Sequence, residues 1–224
     1  MNTAKLRAIK DLLRWKVPFG IFPVLLPAVM FLDQVNWWEW FTLLLGSLLT
    51  VLMVHVVDDI FGYLSGTDQL NANQKEEVGH PKALVRGDIS IKGAATLAIG
   101  LFIGVLGTAA VLLFYFDNSW WLLPLGLFTV FWGYSYSGAP LKLSYRGLGE
   151  TVLIVCGGIA PVALCHLVIV DTITLESIWL GAFIGGIFSS VLMSAQQADI
   201  QGDLESGRNT LVVLLTKKWG GRGP

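Results

Sequence analysis

The stretch "WFTLLLGSLLTVLMVHVVDD", Trp40 to Asp59, is apolar almost throughout and then ends on two carboxylates. A hydrocarbon core about 30 Å thick asks an α-helix for roughly 20 apolar residues, so the stretch reads as a membrane span that surfaces at Asp58 and Asp59. Runs of the same kind recur at 17–32, 94–116, 120–139, 151–170 and 178–195, which with this one makes six predicted spans. Composition agrees: of 224 residues, 54% are hydrophobic and 14% charged, with a mean hydropathy of +0.65. That is too apolar for an ordinary soluble domain. The expected fold is all-α, a polytopic membrane helix bundle with six transmembrane helices. The first span is short and carries Pro18, Pro23 and Pro27, so it is expected to kink or tilt against its neighbours.

The basic residues give the chain a direction. All 15 fall before the first span, between the second and third, between the fourth and fifth, or after the sixth; the opposite turns carry only Asp33, Glu39, Asp117, Asp171 and Glu176. The positive side is expected to be cytoplasmic, with both termini on it and the cytoplasmic membrane as the location. Residues 1–16 space Leu6, Ile9 and Leu13 on one helical face amid five basic residues, the pattern of an amphipathic helix lying on anionic lipid. Residues 17–216 then form a single transmembrane domain and 217–224 a basic tail. A cleaved signal peptide over 1–32 is disfavoured, because no small-x-small site follows the apolar run. Cys156 and Cys165 share one predicted span, too far apart on it to bridge, and read as packing residues.

Acid is costly inside a bilayer, so it gathers where water or a polar cavity begins. His55, Asp58 and Asp59 share one face at the end of the second span, and Asp68 follows a helix-ending "SGT". A second station ends the sixth span, where Gln196, Asp199 and Asp203 stand at i, i+3 and i+7, with Glu205 beyond. Both stations open onto a loop with glycine and arginine, "ALVRGDIS" and "ESGRNTL". Carboxylates of this kind suit Mg²⁺ shared with substrate phosphates, and Lys82, Arg86, Lys142 and Arg146 are placed to neutralise phosphate oxygens the metal leaves uncovered. The plain reading of any one of these acids is a solvated helix end; two similar stations on one membrane face weigh against it. His55 alone reads as an interhelical hydrogen-bonding residue, Lys75, Glu76 and Glu77 as a solvated charge run, and Gly100, Gly104 and Gly107 as close-packing positions. Acids confined to one membrane face, with no ionisable residue near mid-span, do not outline the permeation path of a channel or transporter, and no zinc spacing, nucleotide loop or nucleic-acid signature is present.

Three stretches resemble one family. "DDIFGYLSGTDQLN" (58–71) with "HPKALVRGDIS" (80–90) is similar to the first aspartate-rich motif of the UbiA superfamily of intramembrane prenyltransferases and the loop after it. "YSYSGAPLKLSYRGLGE" (134–150) resembles the segment after its fourth helix, and "ADIQGDLESGRNTL" (198–211) its second aspartate-rich motif. Within the superfamily the likeness is to the menaquinone-pathway enzymes that prenylate dihydroxynaphthoate. The resemblance implies that Asp58, Asp59, Asp68, Asp199 and Asp203 hold Mg²⁺ on an isoprenyl diphosphate, and that Lys82, Arg86, Lys142 and Arg146 steady the departing diphosphate. It also implies an aromatic acceptor that attacks the allylic cation, with Tyr134, Tyr136 and Tyr145 as cation-stabilising faces or interfacial anchors. Membrane lipid is the implied surrounding partner, with a homo-oligomer or larger membrane complex left open. A terpene cyclase of the same superfamily and a non-catalytic, shortened paralogue binding isoprenoid or pigment lipids are the alternatives. The pattern departs from the family at Asp58, where asparagine is usual, at Gly62, where aspartate is, at His80, where arginine is common, and at Gln196, where asparagine is frequent. Six spans against the family's nine imply a C-terminally shortened bundle.

Overall fold

In a computed structural model, residues 3–14, 18–30, 32–74 and 82–220 are described. They form α1 (Thr3–Leu12), α2 (Phe22–Val29), α3 (Trp37–Leu64), α4 (Thr67–Gln74), α5 (Ile91–Phe114), α6 (Leu122–Tyr134), α7 (Gly149–Ile154), α8 (Ala160–Val170), α9 (Leu175–Gln197), α10 (Ile200–Glu205) and α11 (Leu211–Trp219). Helix is the only regular structure among the described residues, as expected where every backbone group must be satisfied within its own segment. The long helices begin on polar caps. Asn36, Ser90 and Thr174 accept backbone N–H bonds at the starts of α3, α5 and α9, and Thr210 does so for α11.

Four helices are long and apolar enough to cross a membrane: Trp37–Leu64, Ile91–Phe114, Gly149–Val170 and Leu175–Gln197. The count of six expected from apolar runs is not reached at that length. The fourth predicted span yields only the 13-residue α6. In the first, the described residues make a short 3₁₀ turn, Pro18–Ile21, and the eight-residue α2, with Pro27 inside it. Proline removes a backbone donor and crowds the preceding turn, so one unbroken span does not form there. α2 still enters the core: Val24 and Leu25 are buried beside Val162 and Cys165, and Trp40 Nε1 donates to the Leu25 carbonyl.

Glycine decides one helix crossing. Gly149–Val170 runs through a π turn at Val155–Ile159 and packs along α9 with its backbone almost touching. A Cβ on Gly158 would overlap the Gly181 carbonyl oxygen, and one on Gly185 would lie 2.6 Å from the Ile154 Cα. The glycines of α5, expected to permit close packing, divide: a Cβ on Gly104 would meet Leu49 at 3.0 Å, whereas Gly100 and Gly107 face open space.

α1 lies on the protein. Ala8 and Leu12 are fully buried against Val56, Ala83, Leu84 and Ala94, with Leu13 packed at the edge of that cluster. Of the row expected to face lipid, Leu6 remains 43% exposed. Arg86 donates to Asp11 and pins α1 to the loop after α4. At the opposite end of the bundle, Trp38, Tyr115 and Trp121 are largely exposed, as aromatic side chains are at a membrane boundary.

Candidate active site

The last turns of α3 present Asp58 and Asp59, and the chain then reverses. Gly66, at φ +79°, takes the left-handed turn that lets α4 fold back. Ser65 anchors this corner: its Oγ lies 2.7 Å from the Tyr145 hydroxyl and 2.9 Å from Thr67 Oγ1. The reversal brings Asp68 beside Asp59. The room comes from Gly62, where a Cβ would stand 2.7 Å from Asp68 Oδ2. The Asp68 carboxylate therefore occupies the space that a side chain at 62 would need.

Cations fill the gaps between these acids. Lys82 Nζ is 2.8 Å from Asp59 Oδ1 and 2.9 Å from Asp68 Oδ1. Arg14 Nη2 is 2.6 Å from Asp59 Oδ1 and 3.1 Å from Asp58 Oδ2. Asp58 Oδ1 accepts from Ser137 Oγ and lies 3.8 Å from Arg208 Nη2. The side chains of Asp59 and Asp68 are 3% and 4% exposed, so these pairs are poorly screened by water. Burial raises the Asp68 carboxyl above the usual carboxylate range, against the pull of Lys82. Burial lowers the Lys82 ammonium, but Asp58 and Asp59 outweigh it and hold its pKa above the ordinary value.

The second station joins the first through Arg208. Its guanidinium lies over the rings of Tyr145 and Tyr136, at 5.2 and 5.9 Å, and Nη2 donates to Ser144 Oγ at 3.3 Å. α10 rests on α4 with so little clearance that a Cβ on Gly202 would collide with Asn71 Oδ1. Asp203 is 1% exposed on α10; burial pushes its carboxyl up to about 6, with Arg208 opposing. The expected Gln196, Asp199, Asp203 stripe is not continuous, because α9 ends at Gln197 and Asp199 stands at the break before α10. Gln196 and Asp203 are buried on either side of that break, while Glu205 is exposed and accepts from Gln201.

The other expected residues scatter. Arg86 binds Asp88 and Asp11, away from the carboxylate cluster. Lys142 lies over the Tyr145 ring at 5.5 Å, and Arg146 reaches the Pro140 carbonyl. Tyr134 packs edge-on against Phe61, and Tyr136 is buried. His80 lies outside the described residues. Sequence reasoning misses three contributors: Arg14, Ser137 and Arg208. Arg208 has a signal, since it is the arginine of the repeated glycine–arginine loop. Arg14 belongs by pattern to the interfacial helix and Ser137 has no pattern at all; their roles come from tertiary docking.

A cavity of about 400 Å³ opens beneath the cluster, within the usual range for a ligand site. Arg14, His55, Asp58 and Tyr136 line it in one region, and apolar residues such as Val54, Leu153, Phe188 and Leu192 line most of the rest. A smaller cavity of about 90 Å³, bordered by Leu43 and Leu112, shares Ile21, Thr50, Val51, Thr129 and Cys156 with it. The two cavities together line an apolar path leading away from the acids.

A model of the UbiA prenyltransferase family matches residues 21–222. The chain belongs to that family. Among curated relatives of this UbiA-family chain, the 1,4-dihydroxy-2-naphthoate octaprenyltransferase of Bacillus subtilis is 29% identical over 200 residues, covering 88% of this chain and 61% of the relative. The protein of the same name from Mycobacterium leprae is 28% identical over 206 residues, covering 89% and 66%. The 2-carboxy-1,4-naphthoquinone phytyltransferase of Synechocystis sp. is 24% identical over 177 residues, covering 79% and 54%. The chain spans about three fifths of the length of these relatives. No solved structure matches it.

The family resemblance implies Mg²⁺, and the aspartates have the hard oxygen donors for it. Their arrangement does not fit the ion as it stands. Among the described residues no three Asp, Glu, His or Cys side chains gather into a metal-holding group, and Arg14 and Lys82 sit on the carboxylates such an ion would use.

Proposed function

We propose that this chain transfers an isoprenyl group from an isoprenyl diphosphate to an aromatic quinone precursor of the naphthoate type. The observation that carries the reading is a membrane helix bundle of the UbiA family whose first acidic station borders an apolar cavity and is joined to the second through Arg208. Asp58, Asp59, Asp68, Asp199 and Asp203 are the acid set, with Mg²⁺ as the implied ion. Lys82, Arg14 and Arg208 are the cations nearest the reacting end; Arg86, Lys142 and Arg146 are the outer basic residues. Their work is to stabilise charge that grows on the diphosphate as the allylic carbon–oxygen bond breaks. The cavity holds the tail and keeps water from the cation. Tyr136 borders it and, with Tyr134 and Tyr145 behind, presents aromatic faces on that side. Residues 17–216 form the transferase domain, in the cytoplasmic membrane with the acids and both termini on the cytoplasmic side.

The self-neutralised acids and Gly62 favour a second reading, a non-catalytic isoprenoid-binding protein. The full chain in nanodiscs, given radiolabelled isoprenyl diphosphate, 1,4-dihydroxy-2-naphthoate and Mg²⁺, separates the two. Label moving into a prenylated naphthoate product, and lost in Asp59→Asn, is the expected result. Donor binding without product leaves the binding protein, and a cyclised hydrocarbon made without the acceptor identifies a cyclase.

A further inference from the structure

Most polar side chains that line the cavity of about 400 Å³ are already engaged. Arg14 and Asp58 pair with each other. Thr50 Oγ1 donates to the Gly46 carbonyl and Thr129 Oγ1 to the Leu125 carbonyl, each within its own helix. Cys156 Sγ reaches the Thr129 carbonyl, and Tyr136 carries the Arg208 guanidinium over its ring. His55 differs. The interhelical hydrogen bond expected of it is not made at Nε2, which is buried and has no partner among the described residues. A neutral imidazole has one donor and one acceptor nitrogen, and a buried nitrogen left unpaired is costly.

Depth points the same way as chemistry. His55 precedes Asp58 and Asp59 by one turn of α3, so it stands roughly 5 Å along the helix axis from them, on the side of the apolar walls. On the prenyl-transfer reading the diphosphate belongs with the cations beside Asp58, and the tail with Val54, Leu153 and Leu192. The allylic carbon lies between the two, and the carbon that attacks it must approach to about 3–3.5 Å. His55 borders the cavity at that level.

We propose that His55 receives a phenolic hydroxyl of the aromatic acceptor and so seats the acceptor ring against the allylic carbon. The inference rests on the prenyl-transfer reading and adds to it the place and the recognised group of the second substrate, a hydroxylated aromatic acid. The hydroxyl donates to the unprotonated ring nitrogen. This bond pairs the imidazole and leaves more electron density on the hydroxyl oxygen, and through it on the ring that attacks. An analogue without the hydroxyl leaves the nitrogen unpaired, so the site selects against it.

Equilibrium dialysis against the full chain in nanodiscs, corrected with empty nanodiscs, reads this without turnover. The probes are 4-hydroxy-2-naphthoate and 2-naphthoate, which differ only in the hydroxyl. Wild type is expected to bind the hydroxylated probe about 10-fold or more tightly. His55→Phe, which keeps a ring but has no polar atom, is expected to bind the two alike. His55→Gln, which keeps a hydrogen-bond acceptor, is expected to retain part of the preference. Wild type that binds both probes alike, or binds neither, overturns the inference, and this result needs no variant to fold. A folded His55→Phe protein that keeps the full preference overturns it too, since the hydroxyl is then read elsewhere. The labelled-donor assay judges prenyl transfer separately. Product made by a wild type without the preference removes this inference alone, whereas neither product nor naphthoate binding removes both readings.

Discussion

Asp203 shows what burial does to a single side chain at this membrane boundary. It is 1% exposed, and burial lifts its carboxyl from 3.8 to about 6 despite Arg208 nearby. Over that interval the folded chain holds a proton that the unfolded chain has released. The resulting stability is complete below pH 4 or so and declines as pH rises through about 6. Asp203→Asn, which carries no titrating proton, removes that slope. Melting temperatures of wild type and variant in detergent, taken from pH 4 to 7.5 without metal, are expected to diverge, with the wild type falling relative to Asn as pH rises; parallel curves would sink the idea. The acids stood out in sequence because two similar stations end apolar runs on one membrane face, where a single acid would read as a solvated helix end. Their neutralisation was not. Asp68 fits beside Asp59 through the vacancy at Gly62, and Arg14 reaches them only because Ala8 and Leu12 seat α1 on the protein. Neither relation has a sequence spacing that encodes it.

Among the helices, the long spans were legible and the way they pack was not. The runs that became α3, α5 and α9 are uniformly apolar with polar caps, so length and composition settle them. The proline-rich first run and the run around α6 matched on composition, yet their helices are 8 and 13 residues long. Glycine spacing misleads in the same way. Gly100, Gly104 and Gly107 make as good a packing pattern on paper as Gly158, Gly181 and Gly185, but only the approach of a second backbone gives such a pattern its meaning. Gly158→Ala would force its Cβ into the Gly181 carbonyl oxygen. That backbone cannot step aside without moving α9, so destabilisation by at least about 1–3 kcal/mol is expected. Gly107→Ala, which meets nothing within 4 Å, is expected to be neutral or slightly stabilising, since alanine favours helix. Thermal denaturation of the two variants side by side checks this. Equal melting temperatures would mean that the α7–α8 segment and α9 do not cross at this distance.

On the scale of the whole molecule, residues distant in sequence meet at one end, where Asp58, Tyr136 and Arg208 come together over a cavity reaching between α3, α6 and α9. No sequence pattern announces a cavity, because its walls are ordinary apolar residues whose distinction is that they fail to touch. The division of labour it implies is open to test: acids and cations hold the diphosphate, and the apolar walls hold the tail. Leu192 lies in that wall, apart from the ion pairs. Leu192→Trp adds bulk to the 400 Å³ space without altering any charge. Binding of a non-hydrolysable isoprenyl diphosphate analogue, in the presence of Mg²⁺, is expected to weaken by about 10-fold or more, in line with a tail forced into an overfilled space at a cost of about 1–3 kcal/mol. Inorganic diphosphate, which has no tail, is expected to bind both proteins alike. If the tryptophan weakens the two ligands equally, the cavity and the charged cluster are one rigid site; if it weakens neither, the tail lies elsewhere, against lipid rather than inside the bundle.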